Sequence, residues 1–333
     1  MRALVLNRYG DEDAAAVSDF PEPVPAEGEV LIEVHAASVN PVDIKIRAGQ
    51  MKIIHPHKPP RVLGEDLAGK VVKLGPGASR FKVGDEVWAC TGLARMGAFA
   101  EYAAVPESAL SLKPKTLSFT DAASLPLVSL TVRRAFNIAG LKAGQRVFIR
   151  AGSGGVGVSG IQIAKALGAH VATTTSARNL DWVRQLGADE VIDYGEGRFE
   201  DRVKDFDLAL ETSKAKEFLR SFSVVRAGGY LVSVGDLPDA RYAREIGKNA
   251  LVRLAFAFVS RKATSAAQRT GVHYRFFIIE PDGEQLRALA ELVDAGKLQP
   301  RVERVFPLAE AKEALAQLAL GRTRGKIVIQ VRG

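Results

Sequence analysis

Cysteine is almost absent from these 333 residues: Cys90 stands alone. An intrachain disulfide and a zinc site built from four cysteines are thereby excluded. Long apolar runs are missing too. The longest, Ala250 to Ser260, is interrupted by Arg253 and falls short of the roughly 20 residues that a bilayer-spanning helix needs. The opening Met1–Gly10 reads as a strand, with neither the apolar core of a signal peptide nor an Arg/Ser-rich presequence. The expectation is a soluble, cytoplasmic protein. Short-period repeats and low-complexity tracts are also missing, which excludes solenoids and disordered tails.

Acid is scarce in one place only. The chain carries 46 Lys and Arg against 38 Asp and Glu, a formal +8, with an isoelectric point near 9.5. Between Arg241 and Arg275 stand eight bases (Arg241, Arg244, Lys248, Arg253, Arg261, Lys262, Arg269 and Arg275) and one acid, Glu245. The remainder, 38 bases and 37 acids, is nearly neutral. This is one basic segment on a neutral globule, so nucleic acid is not expected as a partner.

The first 115 or so residues read as β-rich, with short apolar runs at 30–34, 67–74, 86–89 and 98–105 separated by Gly- and Pro-rich turns. A partly open barrel or sandwich is expected there. Thr120-Asp121 can cap a single helix running to Ala139. Strand and helix patterns then alternate at the spacing of βαβ units on a parallel sheet. The last strand, Lys326–Val331, is expected to return to the first domain.

The strongest local signal is Arg146–Arg150, an apolar strand, followed by Gly152-Ser153-Gly154-Gly155-Val156-Gly157 and then a helical pattern. Gly152, Gly154 and Gly157 form G-x-G-x-x-G in a strand–loop–helix setting. Glycine permits the tight turn and lets the backbone approach a pyrophosphate, while the helix N-terminus stabilises negative charge. An ordinary glycine-rich turn is the alternative. An acid ending the second strand would hold the ribose of NAD. That strand instead ends Thr175-Ser176-Ala177-Arg178, a hydroxyl and a guanidinium suited to a 2′-phosphate. NADPH is the expected cofactor, against the reading of Arg178 as a solvated surface residue.

The ordered stretches Ala36–Lys45, Leu63–Gly69, Phe81–Val87, Gly97–Tyr102, the glycine loop, Leu186–Tyr194 and Gly325–Val328 together resemble the medium-chain dehydrogenase/reductase superfamily along essentially the whole chain. The resemblance implies an α/β fold: a GroES-like β-rich catalytic domain (1–120 and 266–333) and a doubly wound Rossmann cofactor domain (121–265). It also implies an active site in the cleft between them and a homodimer. Zinc alcohol dehydrogenases carry Cys at the start of the motif that here reads Asn40–Lys45, and His where Glu65 stands. With both missing, no metal is expected. His55 and His57 read as loop residues, and His35 has no partner ligand. The chain is therefore similar to the zinc-free branch of quinone oxidoreductases and enone (alkenal) reductases.

That branch implies NADPH-dependent reduction of a small quinone or α,β-unsaturated carbonyl. Negative charge collects on the substrate oxygen and must be stabilised. Lys45 is the candidate electrophilic partner; the alternatives are a surface lysine or one that binds cofactor phosphate. Asn40 and Asp43 are expected beside the nicotinamide, or else cap the local turn. By the same resemblance Thr131 approaches the nicotinamide side, and Ser153, Gly155, Val156 and Gly157 contact the pyrophosphate. Ser176, Arg178 and Tyr194 surround the 2′-phosphate. Gly235 closes the cofactor sheet, Phe277 covers the nicotinamide and Lys326 returns toward the cofactor. An enoyl-thioester reductase is one competing reading. Another is a weakly catalytic NADPH-binding protein that uses the basic segment on RNA or membrane. In that segment Leu251, Val252, Leu254, Phe256 and Phe258 are expected on one face of an amphipathic helix, with Arg253, Arg261 and Lys262 on another.

Overall fold

A computed structural model of the chain describes every residue except Ser213, Lys214, Asp236 and Gly333, together with all described side chains but those of Ala215 and Lys216. The β-rich opening gives β1 (Arg2–Leu6), β2 (Ala15–Asp19) and β3 (Glu29–Ser38), then the helix α1 (Pro41–Arg47). After it come β4 (Arg61–Val62), β5 (Asp66–Leu74), β6 (Glu86–Cys90), β7 (Tyr102–Pro106) and β8 (Leu110–Leu112). Helices α2 (Phe119–Ala123) and α3 (Pro126–Ala139) lead into the alternating part. This runs β9 (Arg146–Ile149), α4 (Gly155–Ala166), β10 (His170–Thr175), α5 (Leu180–Gln185) and β11 (Glu190–Asp193). It continues β12 (Phe206–Glu211), α6 (Ala215–Phe218) and β13 (Val225–Ser233). The basic segment folds as α7 (Ala240–Glu245), α8 (Ala250–Thr270) and β14 (His273–Phe276). The chain closes with α9 (Gly283–Asp294), β15 (Val302–Pro307), α10 (Ala311–Ala319) and β16 (Lys326–Gln330).

The chain divides into two units. The first holds Met1–Leu130 and Glu280–Gly333. Its long strand β3 organises a sheet ordered β15-β16-β3-β5-β6-β8. Along one edge of β3, Glu29–Glu33 pair with β7 and Ala36–Ser38 pair with β16, while β5 runs along the other edge. The last strand thus returns to the first domain. A smaller sheet, β2-β1-β4, joins through Ala3 and Ala100. Trp88, Phe99, Leu4, Leu6, Ile32 and Ile46 are fully buried here.

The single helix expected from Thr120-Asp121 to Ala139 is two helices. Ser118 is the cap, its Oγ accepting from the Asp121 N–H at 3.1 Å. The break falls at Ser124–Leu125 because Pro126 has no N–H to donate and its ring disfavours helical geometry in the residue before it. The break matters for the site, since it frees the Leu127 N–H to donate to the Asp66 carboxylate at 2.7 Å.

The second unit, Thr131–Ile279, carries a parallel sheet ordered β11-β10-β9-β12-β13-β14. Numbered within the sheet, this is 3-2-1-4-5-6, the doubly wound dinucleotide-binding order, with its reversal between β9 and β12. The units divide after Leu130 and Ile279, later than the expected 120 and 265. Two causes are visible: α2 packs on β3 and β5, and β14 pairs with β13. Phe148, Phe199, Phe206, Phe218 and Phe222 form the aromatic heart of the second core.

The basic helix corrects the expected face assignment. Phe256 is buried with Ser260, Ala263 and Ala266, whereas Leu251, Leu254 and Phe258 are exposed. At 3.6 residues per turn, positions 254 and 258 lie roughly opposite 256, so no single face can hold all three.

Phe148 is fully buried and stacks on Phe199 with ring centroids 5.2 Å apart. Phe148→Ala is expected to lower unfolding free energy by about 3–5 kcal/mol in a denaturant titration. A loss under about 1 kcal/mol would contradict this account of the core.

Candidate active site

The end of β3, the start of β5 and the first residue of β16 meet in the interior of the first unit. Each brings a polar residue. Asn40 caps α1, and the cap is reciprocal: its side chain accepts from the Asp43 N–H while Asp43 Oδ2 accepts from the Asn40 N–H at 2.8 Å. The Asn40 amide also donates to Asp66 Oδ2 at 2.8 Å, and Ser38 Oγ donates to the same oxygen at 3.0 Å. Lys326 donates to the Val39 carbonyl at 2.9 Å and to Asn40 Oδ1, with its ammonium 3.6 Å from Asp66. Asp43, Glu65 and Asp66 are wholly buried. Glu65 is held in place by Gly64, whose φ of +94° and contact with the Phe99 ring leave no room for a Cβ.

One ammonium therefore stands among three buried carboxyls. Burial pushes the Asp43 carboxyl up to about 7 and Asp66 adds to the rise, against the Asn40 hydrogen bond and the Lys326 charge. Burial raises Glu65 well above the ordinary carboxylate range, reinforced by Asp43 and Asp66. Burial also raises Asp66, opposed by Lys326, Asn40, Leu127 and Ser38. Lys326 is lowered by burial, opposed chiefly by Asp66. Neither carboxyl oxygen of Glu65 has a hydrogen-bond partner among the described residues. An isolated charge there is costly enough that the neutral acid is favoured.

In the second unit the glycine loop follows β9. Gly152 lies against the Thr173 side chain and Gly157 against the Ala151 carbonyl, so a Cβ at either position would overlap its neighbour. Gly154, the cap of α4, has space around it: a Cβ would meet only the Ala151 oxygen, at 3.5 Å. Tight glycines thus bring strand and helix together, and an open one leaves backbone accessible at the helix N-terminus. A dinucleotide pyrophosphate fits this arrangement.

The strand registers place the other expected contacts at the same end of the sheet. Thr175 pairs with Asp193, so Ser176 and Tyr194 leave adjacent strands side by side. Arg178 and Tyr194 are exposed, and Ser176 is half-buried. Asp181 lies in α5 and pairs with Arg184 at 2.7 Å. Gly235 and Phe277 follow β13 and β14 at that end, with the Phe277 N–H donating to the Ser233 carbonyl at 3.4 Å. Thr131 is buried on α3.

Residues 26–115 match the alcohol dehydrogenase GroES-like domain and 186–329 the zinc-binding dehydrogenase domain. The mouse NAD(P)H oxidoreductase RTN4IP1, mitochondrial, is 36% identical across 99% of this chain and 89% of its own. The chain belongs to the quinone oxidoreductase-like medium-chain dehydrogenase/reductases. Tomato (Solanum lycopersicum) 2-methylene-furan-3-one reductase is 34% identical over 99% of the chain and 79% of its own length. The solved quinone oxidoreductase from Coxiella burnetii superposes with a TM-score of 0.86 at 31% identity, covering 100% of this chain and 99% of that one. Membership in this family makes the chain an oxidoreductase of nicotinamide type. The expected cytoplasmic location is corrected by these relatives. The vertebrate proteins are named mitochondrial, pointing to mitochondria rather than the cytoplasm, and two plant proteins are named chloroplastic. A strand-like N-terminus carries no information about compartment.

Within this dehydrogenase/reductase framework the expected site residues fall into two sets. Thr131, Gly152–Gly157, Ser176, Arg178, Tyr194, Gly235 and Phe277 lie in the second unit, and Asn40, Asp43, Lys45 and Lys326 in the first. Lys326, expected among the cofactor contacts, has its ammonium on Val39, Asn40 and Asp66. Asn40 and Asp43 are buried, and Lys45 is half-buried in the last turn of α1. Among the described residues, no group of three or more His, Cys, Asp or Glu is placed to hold a metal ion. Sequence reading passed over Glu65 and Asp66 as a buried acid pair. The signal was two adjacent acids leading into the apolar run of β5.

A carboxyl whose folded pKa is raised binds its proton more tightly when folded. Its contribution therefore falls as pH rises from about 4 to about 7, by on the order of 1 kcal/mol per pH unit at the steepest. Asp43→Asn keeps a capping oxygen and removes this titration. Denaturant unfolding between pH 4.5 and 7.5 is expected to show a flatter stability profile for the variant; equal slopes would contradict the buried-acid assignment.

Proposed function

We propose that the chain is an NADPH-dependent, metal-independent reductase of quinones or α,β-unsaturated carbonyls. The observation that carries the cofactor choice is the end of β10. Ser176 and Arg178 stand where an acid would otherwise hold a ribose diol, and Tyr194 leaves the neighbouring strand beside them. A guanidinium and two hydroxyls suit a 2′-phosphate and would leave NADH without compensation. The substrate class is supported by the names of the quinone oxidoreductase and 2-methylene-furan-3-one reductase relatives. Asn40 and Glu65 occupy the positions at which the zinc-dependent relatives carry Cys and His, which supports chemistry without a metal.

When bound, the nicotinamide supplies a hydride. The chain's own residues have three tasks: hold the phosphates at Gly154–Gly157, orient the acceptor, and stabilise the oxygen on which negative charge develops. Lys45 is assigned the last task. Asn40 and Asp43 act as positioning residues, because their mutual cap fixes the helix that carries Lys45. A homodimer through an edge of the cofactor sheet, bounded by β11 and β14, completes the reading.

Arg178→Ala is expected to weaken NADPH binding by about tenfold or more while leaving NADH binding nearly unchanged, since a charge-assisted pair contributes about 1.5–3 kcal/mol. Equal affinity of the parent protein for both cofactors, measured by fluorescence titration, would overturn the phosphate site. Lys45→Met is expected to lower kcat for enone reduction by about tenfold to a hundredfold with cofactor affinity retained. An unchanged kcat would remove Lys45 from the mechanism.

A further inference from the structure

The basic segment has an unusual surface. No acid occurs between Glu245 and Glu280, a stretch that includes all of α8. Its N-terminal half exposes Leu251, Leu254, Phe258 and Val259, at 75%, 68%, 66% and 49%. Leu251, Leu254 and Phe258 follow the i, i+3, i+7 spacing of one helical face. The opposite side is anchored, with Phe256, Ser260, Ala263 and Ala266 buried. Toward the C-terminus the outer surface turns basic: Arg261, Lys262 and Arg269 are exposed, and Arg261 stacks over the Phe258 ring at 4.0 Å. The helix extends about 30 Å at 1.5 Å per residue. No helix among the described residues is long and apolar enough to cross a membrane.

We propose that α8 docks this protein on the surface of an anionic lipid bilayer. Leu251, Leu254 and Phe258 insert at the headgroup boundary, and Arg261, Lys262 and Arg269 engage lipid phosphates. Charge complementarity selects this occupant. A second copy of the chain would bring the same acid-free helix against this one, opposing like charges with nothing to pair them. Single-stranded RNA would use the bases and one aromatic ring, leaving Leu251, Leu254 and Val259 without a function. A lipid interface accepts both features at once, apolar side chains below the phosphates and cations level with them. The inference rests on α8 alone and is independent of the substrate and cofactor readings.

Flotation with phosphatidylcholine vesicles, with and without phosphatidylglycerol, tests it on the full chain. The parent is expected to float with the anionic vesicles at least about tenfold more than with the neutral ones. The double variants Leu254→Ser/Phe258→Ser and Arg261→Glu/Lys262→Glu are each expected to reduce flotation by about tenfold or more. Both should keep the parent's thermal unfolding midpoint, because these side chains are exposed. Failure of the parent to float with anionic vesicles would overturn the proposal. So would flotation unaffected by Leu254→Ser/Phe258→Ser, or a parent dimer that this variant splits, which would assign the face to a second copy. Retention on polyuridine that competes with vesicles and survives the same variant would assign the surface to RNA and overturn it as well.

Discussion

One buried ammonium ties the first unit together. Lys326, at the start of the last strand, reaches the Val39 carbonyl, Asn40 and Asp66, and so joins the two ends of the chain to the start of β5. The arrangement would be untenable for any one of its members alone. A buried lysine without a counter-charge gives up its proton, and three buried carboxyls without a cation must all be neutral. Lys326 and Asp66 form one ion pair, while burial raises the Asp43 and Glu65 carboxyls toward their neutral forms. Asn40 is the hinge of this network: it caps α1, donates to Asp66 and accepts from Lys326. The helix carrying Lys45 is therefore positioned by residues that come from distant parts of the sequence.

The second unit depends on a different constraint, the close approach of backbone to backbone. Gly157 touches the Ala151 carbonyl and Gly152 touches Thr173, which draws α4 onto β9 and β10. The parallel registers then bring the ends of five strands to one edge of the sheet. Ser176, Tyr194, Gly235 and Phe277 are scattered over about a hundred residues, yet each follows the C-terminal end of its own strand. The folded sheet does the collecting. The two units thus use different devices, a charge network in the first and a glycine contact in the second.

Much of this was legible from residue order. The strand–glycine–helix pattern of 146–167 needs only local information, and the period-two and period-3.6 patterns placed most elements. The long-range features were not legible in the same way. Asn40 and Asp43 read as neighbours of the nicotinamide, with a cap as the alternative, and only the reciprocal bonds across α1 show the cap. The family resemblance took Lys326 toward the cofactor; its hydrogen-bond and ion-pair partners lie about 260 and 290 residues away in the chain, beyond the reach of any local pattern. The faces of α8 were misassigned because counting apolar residues in a segment does not say which of them the core takes. Phe256 went inward and Phe258 outward. Location was misjudged for another reason: a compartment is not a property of a fold.

The central claim is reduction of a quinone or conjugated carbonyl with nicotinamide bound at the glycine loop and no metal in the chemistry. The most direct test is NADPH oxidation across a panel of quinones and enones, before and after exhaustive dialysis against a zinc chelator. The account predicts turnover of at least one acceptor class with a kcat/KM that chelation leaves unchanged. Activity that disappears on chelation and returns with added zinc would contradict it.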